Sequence, residues 1–243
     1  MLAIIGGSGL NRLAMATTGR KAVPTPYGEP SGPLVLGRIG RRDIVFLARH
    51  GEGHRFAPHE VNYRANLWAL KDAGALEVLS IATVGGIGAA LAPGTLVLPD
   101  QIIDYTWGRR ATYHEGPGAE VQHIDFTEPY SAALRSRIRD AARACGEPLV
   151  DGAVYATTQG PRLETAAEIN RLERDGADIV GMTAMPEAAL AREISLQYAA
   201  IAVVANYAAG RGDAKRAVPL DSIAAVLEQA MGRVRRLIER LCA

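Results

Sequence analysis

The chain has 243 residues, 48% of them hydrophobic, which is enough for one sizeable core in a long α/β domain and fits two small domains less well. Its 27 Lys+Arg and 26 Asp+Glu leave a formal net charge of +1, against both a general nucleic-acid binder and an acidic disordered tail. Cys145 and Cys242 lie far apart with no CxxC pair, so neither a disulfide framework nor a cysteine zinc site is expected, and a reducing compartment is the natural setting.

In chain order, β-branched or apolar runs occur at residues 2–5, 43–48, 78–83, 95–98, 153–157, 179–182 and 199–205. The first opens the chain without a basic leader, and no run approaches the roughly 18 apolar residues of a membrane span. A cytoplasmic protein with no membrane partner is expected. Stretches with helical spacing lie between several runs: 61–73, closed by Gly74; 129–145, with Leu134, Ile138 and Ala142 on one face; 165–174; and 187–197. This alternation predicts strands covered by helices in one α/β domain over residues 1–243. A last helix is expected after Pro219, with Asp221 or Ser222 as its N-cap. Leu227, Ala230, Val234, Leu237 and Leu241 form its apolar stripe. Arg233, Arg235, Arg236 and Arg240 fall mainly off that stripe and read as a solvated face.

Several familiar signatures fail letter by letter. Gly6-Gly7-Ser8-Gly9 is not a G-x-S-x-G elbow, because Leu10 replaces the last glycine. Gly86-Ile87-Gly88 lacks the third glycine of a dinucleotide fingerprint, and no phosphate-loop motif is present. His50 and His54 have zinc-pair spacing, but Gly51 and Gly53 between them disfavour a helix, so no metal is expected.

What remains is a series of small-residue turns, each after a strand, where open α/β sheets bind ligands. Gly6-Gly7-Ser8-Gly9 offers backbone N–H groups and a hydroxyl to an anion, though alone it is an ordinary tight turn. Arg49-His50-Gly51 offers a planar fork and a further donor. Ala82-Thr83-Val84-Gly85-Gly86 is a third donor-bearing turn. In Gly160-Pro161-Arg162-Leu163-Glu164-Thr165, Thr165 with Glu168 suits a helix cap better than Glu164 does. Met182-Thr183-Ala184-Met185-Pro186-Glu187 precedes a helix expected to start near Pro186. Asn206, in Ala205-Asn206-Tyr207-Ala208, can donate and accept together, as a purine edge requires.

In this order the segments resemble the trimeric purine nucleoside phosphorylase family, in its methylthioadenosine phosphorylase branch. The likeness runs from Ile4 to Leu220 and is carried particularly by Ala48-Arg49-His50-Gly51, Val61-Asn62-Tyr63-Arg64-Ala65-Asn66 and Pro99-Asp100-Gln101-Ile102-Ile103-Asp104. Gly160-Pro161-Arg162 and Met182-Thr183-Ala184-Met185-Pro186-Glu187 complete it. The resemblance implies a single α/β domain with a mixed, partly barrel-like sheet flanked by helices. It implies a homotrimer whose sites borrow residues from a neighbour, and inorganic phosphate as co-substrate with no cofactor. Phosphate would attack C1′ of a nucleoside, releasing the base and a sugar 1-phosphate. By the same resemblance, Ser8, Arg49, His50, Thr83 and Thr183 hold phosphate, with the Ala82 backbone beside it. Met182 lies against the ribose, and Glu164 and Asn206 face the base, with Tyr207 and Ala208 following in the substrate wall.

Two positions speak to the base. Adenosine-type members carry aspartate at Asn206 and a small residue, commonly serine, at Glu164; the pair here resembles members that cleave 6-oxopurine nucleosides. A 6-oxopurine offers N1–H to a carboxylate, whereas adenine offers an unprotonated N1. On the sugar side, members using a free 5′-hydroxyl carry a histidine near Leu220 or Pro219, and neither residue here hydrogen-bonds a hydroxyl through its side chain. His123 aligns with a histidine that a neighbouring subunit supplies near the 5′ group. Some relatives fold a longer C-terminal segment over the sugar, and with the sequence ending at Ala243 that cover is expected to be reduced. S-methyl-5′-thioinosine satisfies both pockets. The alternatives are methylthioadenosine, a general 6-oxopurine nucleoside, or a non-catalytic nucleoside binder on the same fold.

Overall fold

The computed structural model of the chain describes residues 1–7, 10, 13, 15–218 and 220–243, and for 220–222 the backbone alone. The strands are β1 (Leu2–Gly6), β2 (Ala16–Lys21), β3 (Leu34–Ile39), β4 (Arg42–Ala48), β5 (Glu77–Gly86), β6 (Leu96–Leu98), β7 (Gln101–Asp104), β8 (Val150–Asp151), β9 (Val154–Thr157), β10 (Ile179–Gly181) and β11 (Gln197–Tyr207). The helices are α1 (Tyr63–Asp72), α2 (Ala132–Ala144), α3 (Ala166–Arg174), α4 (Ala184–Glu193) and α5 (Leu220–Leu241).

The apolar runs of the sequence form the middle of one mixed sheet, because strands covered on both faces need apolar side chains at every position. β4, β1, β5 and β11 lie side by side and parallel, so their carboxyl ends share one edge. Alternate residues feed opposite layers: Leu2 and Ile4 pack with α2 and α5, Ala3 and Ile5 with α1 and α4. The sheet is not a simple fan. β11 pairs with β5 along its length, while β5 exchanges its other neighbour, leaving β1 after Ser80 and meeting antiparallel β10 from Gly85. β10, β9 and β7 continue that arm in parallel. This split gives the sheet its curled, partly barrel-like form.

Local chemistry sets the helix ends. Asn62 caps α1 by accepting from Ala65 N (3.1 Å), and Ser131 caps α2. Thr165 and Glu168 form the expected capping box on α3. α4 differs from the expected 187–197: it spans Ala184–Glu193, kinks at Met185, and gives way to a turn with Ser195 at φ 57° before β11 starts at Gln197. α5 begins at Leu220, so Asp221 and Ser222 lie inside it and neither is its N-cap. Its basic face is not simply solvated. Arg233 Nε and Arg236 Nε donate to the buried Glu147 carboxylate (2.9 and 2.8 Å), and Arg233 Nη1 reaches the Gly94 carbonyl (2.8 Å), tying α5 to the loops beside β6 and β8.

Gly6, where β1 turns toward the edge shared by the parallel strands, is required by close approach. A Cβ there would stand 2.1 Å from the Leu10 carbonyl oxygen and 2.7 Å from the Phe46 ring. Gly6→Ala is expected to cost about 1–3 kcal/mol, read as a lower urea midpoint. An unchanged midpoint would show that the Leu10 carbonyl and the Phe46 ring can yield.

Candidate active site

The split in the sheet makes a cleft. Where β5 passes from its pairing with β1 to its pairing with β10, its residues Thr83, Val84 and Gly85 border a cavity of about 550 Å³ at the shared carboxyl edge. Thr83 looks into it from β5, Arg49 and His50 from the end of β4, Met182 and Thr183 from the end of β10, and Asn206 and Ala208 from the end of β11. Glu164 closes it from the segment before α3.

The Arg49 guanidinium is 1% exposed and is gripped by Glu187 of α4, itself 1% exposed. Nε donates to Oε2 (2.7 Å) and Nη2 to Oε1 (3.0 Å), a two-point ion pair. Nη2 also donates to Ser80 Oγ (2.6 Å) and Nη1 to the Ile81 carbonyl (3.1 Å). Ser80 and Tyr198 hydroxyls donate to Glu187 Oε1 (2.8 and 2.7 Å). Burial opposes the Arg49 charge, but Glu187 outweighs it and holds the guanidinium pKa above its ordinary value.

His50 contributes differently from expectation. Its Nδ1 lies 2.8 Å from the Phe56 carbonyl, and a carbonyl only accepts, so Nδ1 carries the proton. Burial, reinforced by the Arg49 charge, pushes the imidazole pKa down to about 4. At neutral pH the remaining nitrogen, Nε2, is therefore an acceptor, not the further donor expected. His54, set aside as half of a zinc pair, stacks on this ring at 4.2 Å. Among the described residues no cluster of His, Cys, Asp or Glu could hold a metal ion.

The other end of the cavity is polar and tightly set. In β11 the register slips between Val204 and Asn206, a bulge that re-aims Asn206 toward the cavity. The Asn206 amide nitrogen donates to the Tyr207 carbonyl (2.7 Å), which uses one of its two hydrogens. Glu164 Oε1 accepts from the Thr158 hydroxyl (2.6 Å). Thr183 stands at the N-cap of α4 without a side-chain capping bond.

Not every expected residue joins the cavity. Ala82 is buried in β5 with its methyl in the core, one residue from the wall. Tyr207 ends β11 with its ring against Gly212, off the wall. His123 is exposed in the connection between β7 and α2 and does not line the cavity of its own chain. Ser8 and Pro219 lie outside the described residues, as does the side chain of Leu220. The apolar lining near α5 comes instead from Val218 and Ile223.

The sequence matches the phosphorylase superfamily over residues 1–243. The chain belongs to that superfamily. Within it, the chain is 56% identical over 215 residues to a probable S-methyl-5'-thioinosine phosphorylase of Xanthomonas campestris, covering 88% of this chain and 86% of that one. It is 52% identical over 241 residues to a protein of the same description from Pseudomonas syringae, covering 98% and 97%. Among solved structures it resembles methylthioadenosine phosphorylase from Schistosoma mansoni in complex with adenine, with a TM-score of 0.94 and 34% identity, covering 99% of this chain and 90% of that one.

Some residues of the site escaped the sequence reading. Glu187 enters the sequence reading only as the end of a motif and the start of a helix, Ser80 lies within an apolar run, and Tyr198 falls between the expected helix and strand. Phe56 and Pro58 line the cavity from a stretch with no periodic pattern.

The lowered His50 pKa has a consequence for stability. Between about pH 4 and 6.5 the folded chain binds fewer protons at His50 than the unfolded chain. That contribution is complete above the window and is lost as pH falls through it. His50→Gln should therefore flatten the loss of urea midpoint on acidification relative to the unaltered protein. Parallel curves would show that the imidazole accepts its proton without penalty.

Proposed function

We propose that the protein cleaves S-methyl-5′-thioinosine with phosphate, giving hypoxanthine and 5-(methylthio)ribose 1-phosphate. The observation that carries this reading is the placement of Glu164 and Asn206 on one cavity with Arg49, His50, Thr83 and Thr183. Phosphate belongs at the cationic end. Arg49 spends four of its five N–H groups on protein acceptors among the described residues, which leaves one on Nη1 for a phosphate oxygen. Neutral His50 at Nε2 suits the P–O–H of monohydrogen phosphate. Ser8, Thr83 and Thr183 supply hydroxyl donors, and Met182 lies against the sugar.

In the reaction a phosphate oxygen forms a bond to C1′ as the C1′–N9 bond breaks, and that bond's electron pair leaves with the purine. The purine becomes hypoxanthine by taking up, through solvent, the proton that monohydrogen phosphate gives up on becoming the ester. Positive charge developing on the ribose faces bound phosphate. Negative charge developing on the purine is met by the second Asn206 N–H. Glu164, steadied by Thr158, accepts N1–H of the 6-oxopurine. Adenine would set its unprotonated N1 against that carboxylate, a mismatch of roughly 1–3 kcal/mol. Val218 and Ile223, with Leu220 and Pro219 close in sequence, suit a methylthio group better than a 5′-hydroxyl. The names of the Xanthomonas and Pseudomonas relatives favour the same substrate. The likeness to the Schistosoma enzyme makes methylthioadenosine the rival.

Phosphorolysis rates on methylthioinosine, methylthioadenosine and inosine test the reading, with methylthioinosine expected to be fastest. Asn206→Asp with Glu164→Ser should move preference toward the aminopurine, by an amount that need not equal the sum of the singles. Faster cleavage of methylthioadenosine by the unaltered protein would overturn the base assignment.

We further propose a homotrimer in which His123 serves a neighbour's sugar pocket, since it is exposed and off its own cavity. Light scattering should report three chains, and His123→Ala should raise the KM for the nucleoside without dissociating them. A fully active monomer would remove that role.

A further inference from the structure

Arg109 lies in the irregular connection between β7 and α2, contributes nothing to the cavity wall, and yet binds the backbone of the segments that form it. Its Nη1 donates to the carbonyls of Met182 (2.8 Å) and Met185 (2.6 Å), on either side of Thr183. Its Nη2 donates to the carbonyls of Gln159 (2.9 Å) and Thr158 (3.3 Å), and Nε reaches Gln159 Oε1 (3.2 Å). The guanidinium also lies 5.6 Å from the centre of the Tyr63 ring, whose hydroxyl donates to the carbonyl of Pro58, a third part of the wall. One planar group therefore joins the turn after β9 to the turn after β10.

The two turns carry different halves of the site. Met182 and Thr183 follow β10, while Glu164 follows β9 by way of Thr158, whose hydroxyl donates to Glu164 Oε1 (2.6 Å). We propose that Arg109 is a positioning residue for base selection: it sets the Thr158 backbone, and through the Thr158 hydroxyl the Glu164 carboxylate, at a fixed distance from the sugar contacts at Met182. This rests on the reading of Glu164 as the group facing the purine. Only a guanidinium fits the task, because its donors diverge in one plane toward carbonyls on two separate turns, whereas a lysine ammonium is a compact point charge. No step of the reaction passes through Arg109, so its effect must appear as altered preference and altered nucleoside binding.

The test compares Arg109→Ala, Arg109→Lys, Thr158→Val and the double variant Arg109→Lys/Thr158→Val on methylthioinosine and methylthioadenosine, each at saturating phosphate. Both arginine variants should lower kcat/KM for the preferred nucleoside by roughly tenfold to a hundredfold. They should also shrink the ratio of kcat/KM between the two nucleosides, a quantity that a reduced fraction of folded enzyme cannot change. Thr158→Val should shrink that ratio too, and the double variant should lose little more than the larger single, as members of one relay do. Arg109→Lys with unaltered preference would overturn the proposal, because charge without the fork would then suffice. So would activity that falls only with the folded fraction, or losses of preference that simply multiply in the double variant. If Arg109→Ala does not fold, the lysine and Thr158 variants decide. Should the unaltered protein prefer methylthioadenosine, the substrate reading fails by itself, and Arg109 is still judged by whether its variants change that preference.

Discussion

The buried pair of Arg49 and Glu187 is the constraint around which the site is arranged. Taking two charges out of water costs several kcal/mol per ion, and mutual attraction offsets this only when the remaining donors and acceptors are also satisfied. Here Ser80, Tyr198 and the Ile81 carbonyl supply those partners, and they belong to β5 and β11, while the ions themselves come from the end of β4 and from α4. A single polar cluster thereby clamps these elements of the fold at the edge where the cavity opens. It also fixes the position of positive charge: held by Glu187 at Nε and Nη2 and by the Ile81 carbonyl at Nη1, the guanidinium cannot swing into the cavity.

The division of the sheet supplies the space that this cluster borders. β5 trades β1 for β10 within its own length, and the intervening residues face a gap that no strand fills among those described. Opposite ends of the gap have different chemistry because different strands end there. β4 brings a cation and a neutral imidazole, β10 brings Met182 and Thr183, and β11 brings an amide. The turn before α3 adds the carboxylate.

The sequence made the central strands legible because β1, β4, β5, β10 and β11 are buried on both faces and read as unbroken apolar runs. β2, with the sequence ATTGRK and mostly exposed, carries no such signal, and it is recruited by pairing with β3 at the sheet's edge. The positions of Arg49, Thr83, Thr183 and Asn206 could be found because each stands at or near the end of an apolar run. Thr83 and Asn206 nevertheless lie inside β5 and β11 and not in turns after them, since both strands run on past the apolar stretch. Glu187 could be seen but not understood, since its partner is 138 residues away in sequence. Arg109 sits in a stretch without periodicity, and its meaning lies in carbonyls that every residue possesses. Arg233 and Arg236 looked like solvated charges because Glu147, which gathers them, lies at a turn far upstream.

The bulge in β11 shows that the place of Asn206 on the cavity wall depends on strand register as well as on residue type. Pairing with β5 advances by one residue between Val204 and Asn206, so Asn206 stands opposite Gly85. In an unbroken strand the same asparagine would be displaced by one step of a two-residue repeat and would present its amide to the opposite layer. Its reach into the cavity is therefore held by Ala205, a residue whose methyl is buried and makes no polar contact of its own. A one-codon deletion or insertion in this strand could take the amide off the cavity wall, or bring it there, with every side chain of the wall still encoded.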